Sequence, residues 1–355
     1  MQSIDASGYF IHFNENGYAE LANFLKNSNY SGIYIIVDSN TNEHCLPGFL
    51  SRLETESKIE IIEVEPGEES KSIETSTQLW HALTELGADR KSVIINLGGG
   101  TITDLGGFIA STYKRGIDFI HVATSLLGMV DACIGGKNGI DLGSLKNQIG
   151  VINTPQMVLI DTSFLQTLSQ REMKSGLAEM LKHGLIYGQH YWEQFTDLEK
   201  LDFSEFDSLI YRSVEIKTEI VAQDPTEQNI RKALNFGHTL GHAIESYFLE
   251  DSSKENLLHG EAIACGMVLE SNLSFQKNLI TSEEYNKIKK AILHIYDRVS
   301  FDEVDIENIL ELLIHDKKNE YGNVNFVLLN GIGKVVINQL VENEQIIAAF
   351  ADYET

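Results

Sequence analysis

The sequence has little cysteine, little proline and no long apolar run, and each shortage excludes a class of protein. Its 3 cysteines, Cys45, Cys133 and Cys265, are odd in number and far apart, which argues against a disulfide framework and for a reducing cytoplasm. With 4 prolines and 43% apolar residues the chain is neither disordered nor collagen-like. No secretory apolar region opens it, and no run approaches the roughly 18 apolar residues of a membrane span. We therefore expect a cytoplasmic globular protein.

Positive charge is also scarce. The 27 Lys and Arg stand against 52 Asp and Glu, a formal net charge of −25 at pH 7. Such a charge repels phosphate backbones and anionic lipid surfaces. Neither nucleic acid nor a membrane is an expected partner.

The length of 355 residues and the order of the patterns predict two domains. Residues 1–165 alternate short β-branched runs with helical stretches, which is typical of a Rossmann-like α/β domain with a mostly parallel sheet. Residues 166–355 carry long helical patterns and predict a mainly α-helical domain with one late hairpin at 324–337. The predicted strands are 32–38, 59–65, 92–98, 117–123 and 157–161. The predicted helices are 73–86, 171–187, 206–222 and 230–248.

A glycine-rich segment, GGGTITDLGGF at 98–108, follows a predicted strand and opens a helix. Free amides at the helix N-terminus can face a pyrophosphate that the glycines allow to approach closely. The spacing differs from the GxGxxG fingerprint, so a tight turn without a ligand stays open as an alternative. Asp38 and Asn40, at the end of the first clear strand, lie where open α/β sheets bind ligands, although they could equally cap a helix.

Two further segments carry charged or metal-binding side chains. The 131–150 segment joins Lys137 and Lys146 to several glycines, and as a loop it suits a phosphate or a carboxylate. The segment RKALNFGHTLGHAIESY places His238 and His242 four residues apart, on one face of a helix. A third histidine and a glutamate, His259 and Glu179, could complete an open zinc site, but spacing does not decide which two histidines bind. Buried histidines without a metal are the alternative.

These motifs resemble the 3-dehydroquinate synthase family, within the sugar-phosphate cyclase group. The resemblance covers most of the chain and includes, in order, GEESK at 67–71, GGGTITDLGGF, YKRG at 113–116, KNQIG, GLAEMLKHG, NFGHTLGHAIE, HGEA and DKK at 316–318. It implies the dehydroquinate synthase-like fold and an NAD-dependent enzyme with a divalent metal, Zn²⁺ or Co²⁺. It also implies conversion of 3-deoxy-D-arabino-heptulosonate 7-phosphate, an anionic sugar phosphate, to 3-dehydroquinate and phosphate in the shikimate pathway to aromatic amino acids. The expected assembly is a homodimer.

The resemblance also implies roles for individual residues. The NAD contacts fall on Asp38, Asn40, Glu68, Lys71, Gly98, Gly99, Gly100, Asp104, Thr124, Ser125, Lys146 and Thr167. The metal ligands fall on Glu179, His238 and His259, which leaves His242 for the phosphate or for proton transfer. Catalytic positions are Lys137, Glu227, His242, Arg115 and Lys182. Substrate-binding positions are Asp131, Asn147, Lys217, Arg231, Asn235 and one of Lys317 and Lys318. The chain departs from the family where Asn138 follows GGK, since threonine is frequent there.

Two other interpretations compete. Another sugar-phosphate cyclase or a metal-dependent polyol dehydrogenase would share the two-domain organisation. A polyol carries no phosphate or carboxylate, so the cations around Arg231 favour the acidic substrate. A cofactor-binding regulator without catalysis would have no need for an open metal site, which the Glu179, His238 and His259 set would provide.

Overall fold

The computed structural model describes residues 1–143, 145–195, 206–251, 253–316 and 324–355. The chain forms two compact units, the first comprising Met1–Met173 with Asp207–Ala222 and the second Lys174–Phe206 with Gln223–Thr355. The sequence-based boundary near residue 165 stays a prediction, and the observed units differ from it by assigning Asp207–Ala222 to the first unit.

The strands are β1 (Ile4–Asp5), β2 (Phe10–Phe13), β3 (Ile33–Asp38), β4 (Ile59–Val64), β5 (Val93–Gly98), β6 (Asp118–Ala123), β7 (Lys137–Leu142), β8 (Leu145–Ile152), β9 (Met157–Ile160), β10 (Asn325–Leu329) and β11 (Val335–Leu340). The helices are α1 (Asn14–Ser28), α2 (Ser39–His44), α3 (Leu46–Arg52), α4 (Ile73–Glu85), α5 (Gly100–Thr112), α6 (Gln170–Tyr187), α7 (Gln189–Glu193), α8 (Phe206–Gln223), α9 (His238–Glu250), α10 (His259–Gln276), α11 (Ser282–Ile295), α12 (Glu303–Asp316) and α13 (Asn343–Tyr353). Short 3₁₀ or π-helical turns connect several of them.

The first unit is built on a seven-stranded sheet in the order β1-β2-β9-β6-β5-β3-β4. All its pairings are parallel except β1 with β2. Interior strands can be continuous apolar runs, such as Ile33–Val37 of β3, because a parallel sheet is covered by helices on both faces. The mostly parallel α/β architecture predicted from the sequence is therefore confirmed.

Two local predictions are wrong. Residues 131–150 are not one loop, because β7 and β8 form an antiparallel hairpin that pairs Lys137 with Ile152. Gly139 and Gly150 face each other in this hairpin, and a Cβ at Gly139 would lie 2.8 Å from the carbonyl oxygen of Ile149. The close approach of β7 and β8 requires these glycines. Because glycine has a low strand propensity, the sequence pattern of the two strands does not predict them.

The predicted helix at 230–248 is also wrong in its first part. Residues Ile230–Asn235 form a 3₁₀ turn and α9 starts at His238. Between them Gly237 takes a left-handed φ of 77°, and a Cβ there would lie 2.6 Å from Cγ of Met267. The close approach of α10 requires the glycine and ends the first helical segment.

The second unit is mainly helical, with α9 packed on α10 and α12 and with α13 also against α10. The α10 helix is buried on nearly all sides from Gly260 to Ser274, as expected of a central helix. The predicted hairpin is present as the antiparallel pair β10 and β11. Among the residues described, no helix combines the length and the apolar character needed to cross a membrane.

His121 on β6 introduces a pH dependence into the first unit. Its side chain is buried, and burial lowers the pKa of the imidazole to about 3 despite a hydrogen bond with Asn138. The unfolded chain binds a proton at this histidine below about pH 6.5, whereas the folded chain does not. The free energy of unfolding should therefore fall on acidification from pH 6.5 towards pH 3.

We expect this one group to remove about 2 kcal/mol of stability between pH 7 and pH 5. Urea unfolding of the wild type, His121→Phe and the exposed-site control His81→Gln at both pH values measures it. The His121→Phe protein should lose less stability on acidification than the other two proteins. Equal losses in all three would contradict a neutral buried His121.

Candidate functional sites in the two units

The glycine-rich turn of the first unit joins β5 to α5. β5 ends at Gly98 and α5 begins at Gly100, as the sequence predicts. A Cβ at Gly98 would lie 2.4 Å from Cβ of Ile102, and one at Gly99 would lie 2.8 Å from Oγ of Ser125. A side chain at either glycine would therefore force Ile102 or Ser125 to shift. No side chain of the described residues caps α5, so the amides of its first turn are available to an anion.

A buried lysine lies at the centre of a polar cluster beside this turn. The Lys71 ammonium donates hydrogen bonds to Asp104 Oδ2 at 3.0 Å, to Glu68 Oε1 at 3.3 Å and to Asn147 Oδ1 at 2.7 Å. Burial alone would lower the pKa of Lys71, but the carboxylates of Asp104 and Glu68 raise it. Burial raises the pKa of Asp104 against the effect of Lys71. Four residues predicted to bind NAD or substrate thus form one charged cluster.

Other predicted NAD residues lie at the carboxyl ends of parallel strands. Thr124 follows β6, and its amide donates to the Gly98 carbonyl at 3.0 Å. Asp38 ends β3 and caps α2 by accepting a hydrogen bond from the Thr41 amide at 2.8 Å. Its observed contacts therefore match the helix-cap alternative. Asn40 and Thr167 are exposed.

The β7–β8 hairpin carries three of the predicted residues. Lys137 is the first residue of β7 and is exposed. Lys146 lies 3.4 Å from Glu68 Oε1, and Asn147 reaches Lys71 as described above. Before the hairpin, Asp131 accepts hydrogen bonds from Lys217 of α8 at its carbonyl, 2.6 Å, and at Oδ1, 2.7 Å.

Arg115 is not brought to this edge of the sheet. It is exposed and ends the short 3₁₀ turn Tyr113–Arg115, between α5 and β6. The helix is about 18 Å long at about 1.5 Å per residue, which separates Arg115 from the glycine-rich turn by that order of distance.

In the second unit three histidines and a glutamate converge. One ring nitrogen each of His238, His242 and His259 lies within 4.8 Å of the others. Glu179 of α6 is fully buried, and its Oε1 lies 3.6 Å from His238 Nε2 and 3.7 Å from His259 Nε2. These separations exceed a hydrogen bond and are comparable with the spacing of about 3.4 Å between two ligands of one zinc ion.

The outer contacts of two histidines set their tautomers. His238 Nδ1 lies 3.1 Å from the Phe236 carbonyl, and His259 Nδ1 lies 3.2 Å from a carboxylate oxygen of Glu245. Both partners only accept, so each Nδ1 carries the proton in a neutral ring and each Nε2 presents a lone pair towards Glu179. Neither carboxylate oxygen of Glu179 has a hydrogen bond of ordinary geometry to any described residue. This donor set fits a divalent metal.

The electrostatics of the cluster favour metal-binding protonation states at Glu179 and His238. Burial alone would raise the pKa of Glu179, but the ion-paired ammonium of Lys182 and the nearby imidazoles hold it well below its usual range. Burial and the charge of Lys182 hold the pKa of His238 well below its usual range. Burial alone would lower the pKa of His259, but the carboxylates of Glu245 and Glu179 raise it to about 10. A metal must therefore displace a proton from His259.

The remaining predicted residues of the second unit form a network around the 3₁₀ turn. Asn235 Nδ2 donates to Glu227 Oε1 at 2.6 Å. Arg231 is buried and donates from Nη1 to the Pro225 carbonyl at 2.6 Å. Asp224 accepts the amides of Asn229 and Arg231 and so fixes the turn. Lys317 and Lys318 lie outside the described residues.

Three predicted site residues hold left-handed backbone conformations, with φ of 72° at Arg115, 54° at Asn147 and 59° at Glu227. A side chain makes this conformation costly, by of order 1–3 kcal/mol, so the surrounding structure must stabilise it. Such residues are enriched at functional sites.

Sequence reasoning missed Asp141 and Glu245. The pKa of Asp141 is raised by burial, although the charge of Lys71 opposes this, and its Oδ1 accepts the Asn147 amide at 2.7 Å. Glu245 lies seven residues after His238, on the same face of α9, which is a detectable signal. Its contact with His259 joins two helices and leaves no trace in local spacing.

We expect Glu245→Gln to lower zinc affinity by about 10- to 100-fold, because the neutral amide polarises His259 less and no longer fixes its tautomer. Competition with a chelator measures the dissociation constant. Glu250→Gln, at an exposed position of the same helix, is the matched control. Equal affinity in both variants would exclude a role for Glu245.

Together these features define a class: a two-unit α/β and α-helical protein with a glycine-rich turn at a helix N-terminus and a cluster of three histidines and a glutamate that could hold a metal. Two family models match the chain. Residues 61–175 match the 3-dehydroquinate synthase N-terminal model and residues 176–319 match the C-terminal one. The chain belongs to the 3-dehydroquinate synthase family.

Individual relatives are similar over nearly the whole chain. The 3-dehydroquinate synthase of Parabacteroides distasonis is 42% identical over 94% of this chain and 95% of its own, and that of Caldanaerobacter subterraneus is 37% identical over 95% of both. Among solved structures, 2-deoxy-scyllo-inosose synthase with carbaglucose-6-phosphate, NAD⁺ and Co²⁺ is 25% identical, with a TM-score of 0.85 over 99% of both chains. The 2-epi-5-epi-valiolone synthase of Streptomyces hygroscopicus with NAD⁺ and Zn²⁺ is 24% identical, with a TM-score of 0.84 over 100% of this chain and 99% of its own. The predicted dehydroquinate synthase-like fold is confirmed.

Proposed function

We propose that this chain converts 3-deoxy-D-arabino-heptulosonate 7-phosphate to 3-dehydroquinate and phosphate, as a lyase that uses NAD catalytically and a divalent metal. The observation that carries the proposal is the convergence of Glu179, His238 and His259 in a member of this family. When bound, NAD accepts and returns a hydride and the metal acts as a Lewis acid towards a substrate hydroxyl.

The metal would be held by Glu179, His238 and His259. Their support is the tautomer argument: with Nδ1 bonded to an acceptor in each neutral ring, Nε2 carries the lone pair, and it lies 3.6 Å (His238) and 3.7 Å (His259) from Glu179 Oε1. Three protein ligands leave an open position, which a catalytic zinc site requires. The fourth group, His242, adjoins this set and is proposed for proton transfer or phosphate contact.

NAD would be held by the first unit. The N-terminus of α5 and the glycines at 98–100 suit the pyrophosphate, and Asp104 and Glu68 can accept hydrogen bonds from ribose hydroxyls. Lys71 forms ion pairs with both carboxylates and so holds them in place. The other proposed NAD contacts are Asp38, Asn40, Thr124, Ser125, Lys146 and Thr167.

The substrate carries a phosphate and a carboxylate, so its contacts must be fixed cations in a protein of net charge −25. Lys137 would neutralise charge on the departing phosphate, with Lys182 and Arg231 as further cations. Glu227, held by Asn235, would accept or return a proton. The other proposed substrate contacts are Asp131, Asn147, Lys217, Asn235 and one of Lys317 and Lys318; Arg115 is not included, because it lies at the far end of α5 from the glycine-rich turn.

A homodimer and a cytoplasmic location complete the proposal. The paucity of cysteines and their scattered positions support the reducing compartment. Sedimentation equilibrium of the pure protein tests the assembly, and a monomer at micromolar concentration would exclude it. Fractionation of cells that express the protein tests the location.

The activity test is phosphate release from the heptulosonate phosphate in the presence of NAD and zinc. We expect steady turnover with less NAD than substrate and no lasting NADH absorbance, because the net reaction neither oxidises nor reduces the substrate. A chelator should abolish turnover, and added zinc or cobalt should restore it. NADH accumulating in proportion to substrate would instead indicate a polyol dehydrogenase, and absence of phosphate release would refute the proposal.

A further inference from the structure

Three buried polar side chains form a continuous chain across the first unit. Asn96 on β5, His121 on β6 and Asn138 on β7 are each at most 4% exposed. Asn96 Nδ2 lies 3.2 Å from His121 Nδ1, and the imidazole also hydrogen-bonds the Asn138 side chain. We call these three residues the amide–imidazole relay. None of them is among the residues proposed above to bind NAD, metal or substrate.

The donors and acceptors of the relay allow a single arrangement. Asn138 Nδ2 donates to the carbonyls of Gly136 at 3.0 Å and Asn153 at 2.8 Å. Its Oδ1 can then only accept, so the imidazole must donate to it from Nε2. The neutral ring accepts at Nδ1 from the amide of Asn96, and every hydrogen bond in the relay then runs in one direction.

Helix α5 closes the space around the relay. A Cβ at Gly106 would lie 1.8 Å from Asn96 Oδ1, and a Cβ at Gly107 would lie 1.9 Å from Asn138 Oδ1. The two amide groups therefore press directly against the backbone of α5. The glycine pair of the GGGTITDLGGF motif has a packing role here in addition to its place beside the turn.

The relay fixes both ends of the β7–β8 hairpin. Gly136 immediately precedes the hairpin and Asn153 immediately follows it, and Asn138 bonds the carbonyls of both. The Asn153 amide also donates to the Gly136 carbonyl at 2.8 Å, and its side chain donates to Ser111 of α5 at 2.9 Å. The register of the hairpin base is thus tied to the central sheet through His121 and Asn96.

We propose that the amide–imidazole relay is a positioning element that sets the hairpin base and thereby holds Lys137 in place for the substrate phosphate. Lys137 lies between the two relay-bonded positions Gly136 and Asn138, and its own side chain is exposed. If the hairpin base could shift, the Lys137 ammonium would no longer be held at a fixed position relative to the phosphate. A misplacement of about 1 Å can lower the rate about 100-fold. This inference rests on the proposed function for the role of Lys137, but its structural part does not.

The test uses His121→Phe, which keeps a flat ring without nitrogen atoms, and Asn138→Ser, which keeps a polar group too short to span both carbonyls. We expect kcat/KM for the heptulosonate phosphate to fall about 10- to 100-fold, with zinc content unchanged. Amide hydrogen exchange of the 137–152 peptide should accelerate at least about 10-fold, while peptides of β3 and β4 stay protected. Asn138→Ser keeps the proposal testable if His121→Phe does not fold.

Tyr30→Phe is the matched control, because Tyr30 donates to Asp118 at 2.7 Å at the amino end of β6 and has no contact with the three relay residues among the hydrogen bonds described above. It should lose stability without loss of kcat/KM or of hairpin protection. A folded relay variant that keeps wild-type kcat/KM overturns the proposal, and so does a rate loss without faster hairpin exchange. A wild-type protein with no phosphate release would refute the proposed function instead, and faster exchange in the variants would still support the relay as the hairpin anchor.

Discussion

His238→Ala and His259→Ala should each lose zinc and activity together, whereas His242→Ala should retain the metal. The first two rings present Nε2 to Glu179 while Nδ1 is bonded to an acceptor, as a ligating histidine requires. Loss of an outer partner already costs about 10- to 100-fold in metal affinity, so loss of a ligand should cost more than about 100-fold. Elemental analysis after gel filtration and the zinc dissociation constant measure the effect.

His242 is the internal control of this experiment. It lies on the same helix with its ring centroid 5.0 Å from that of His238, so the two alanine variants disturb the same packing. A His242→Ala protein without zinc would assign the metal to the three histidines. Wild-type turnover in a metal-free preparation would remove the metal from the mechanism altogether.

Lys137→Met should lower turnover by roughly 30- to 1000-fold while the NAD dissociation constant changes little. The ammonium would neutralise charge on the departing phosphate, and such a contact contributes about 2–4 kcal/mol in a site without water. Methionine retains most of the length of the side chain and removes only its charge. Turnover number and NAD titration of the variant measure the two effects separately.

An exposed lysine just before β5 provides the comparison. Lys91→Met removes the same charge next to the amino end of the central strand, and it should leave turnover near wild type. Circular dichroism confirms that both variants fold. A folded Lys137→Met enzyme with wild-type turnover would place the phosphate elsewhere, and the role of the hairpin would have to be withdrawn.

The sheet could be predicted because its strands are buried on both faces and read as apolar runs. β3, β5 and β6 each begin within one residue of the predicted start. Short edge strands such as β1 carry too few residues for a pattern, and the β7–β8 hairpin was concealed by its glycines. The break at Gly237 was missed because it is caused by the close approach of α10, which no local pattern encodes.

In the candidate sites, too, local spacing predicted some features and could not predict others. The histidines of α9 were identifiable because a spacing of four residues places two imidazoles on one helix face. Which ring nitrogen each offers depends on the Phe236 carbonyl and on Glu245, and that became visible only in three dimensions. The ion pairs of Lys71 likewise join residues far apart along the chain, so spacing gave no account of its charge state.

The chain completes its first unit only after entering the second, since α8 contributes Asp207–Ala222 to the unit that otherwise ends at Met173. During synthesis from the amino end, the two hydrogen bonds between Asp131 and Lys217 can therefore form only after α8 has been made. A recombinant fragment that stops near residue 173 would lack this helix and leave the Asp131 carboxylate without that cation. The shortest fragment able to form the whole first unit extends at least to Ala222, well past the point at which the parallel sheet itself is complete.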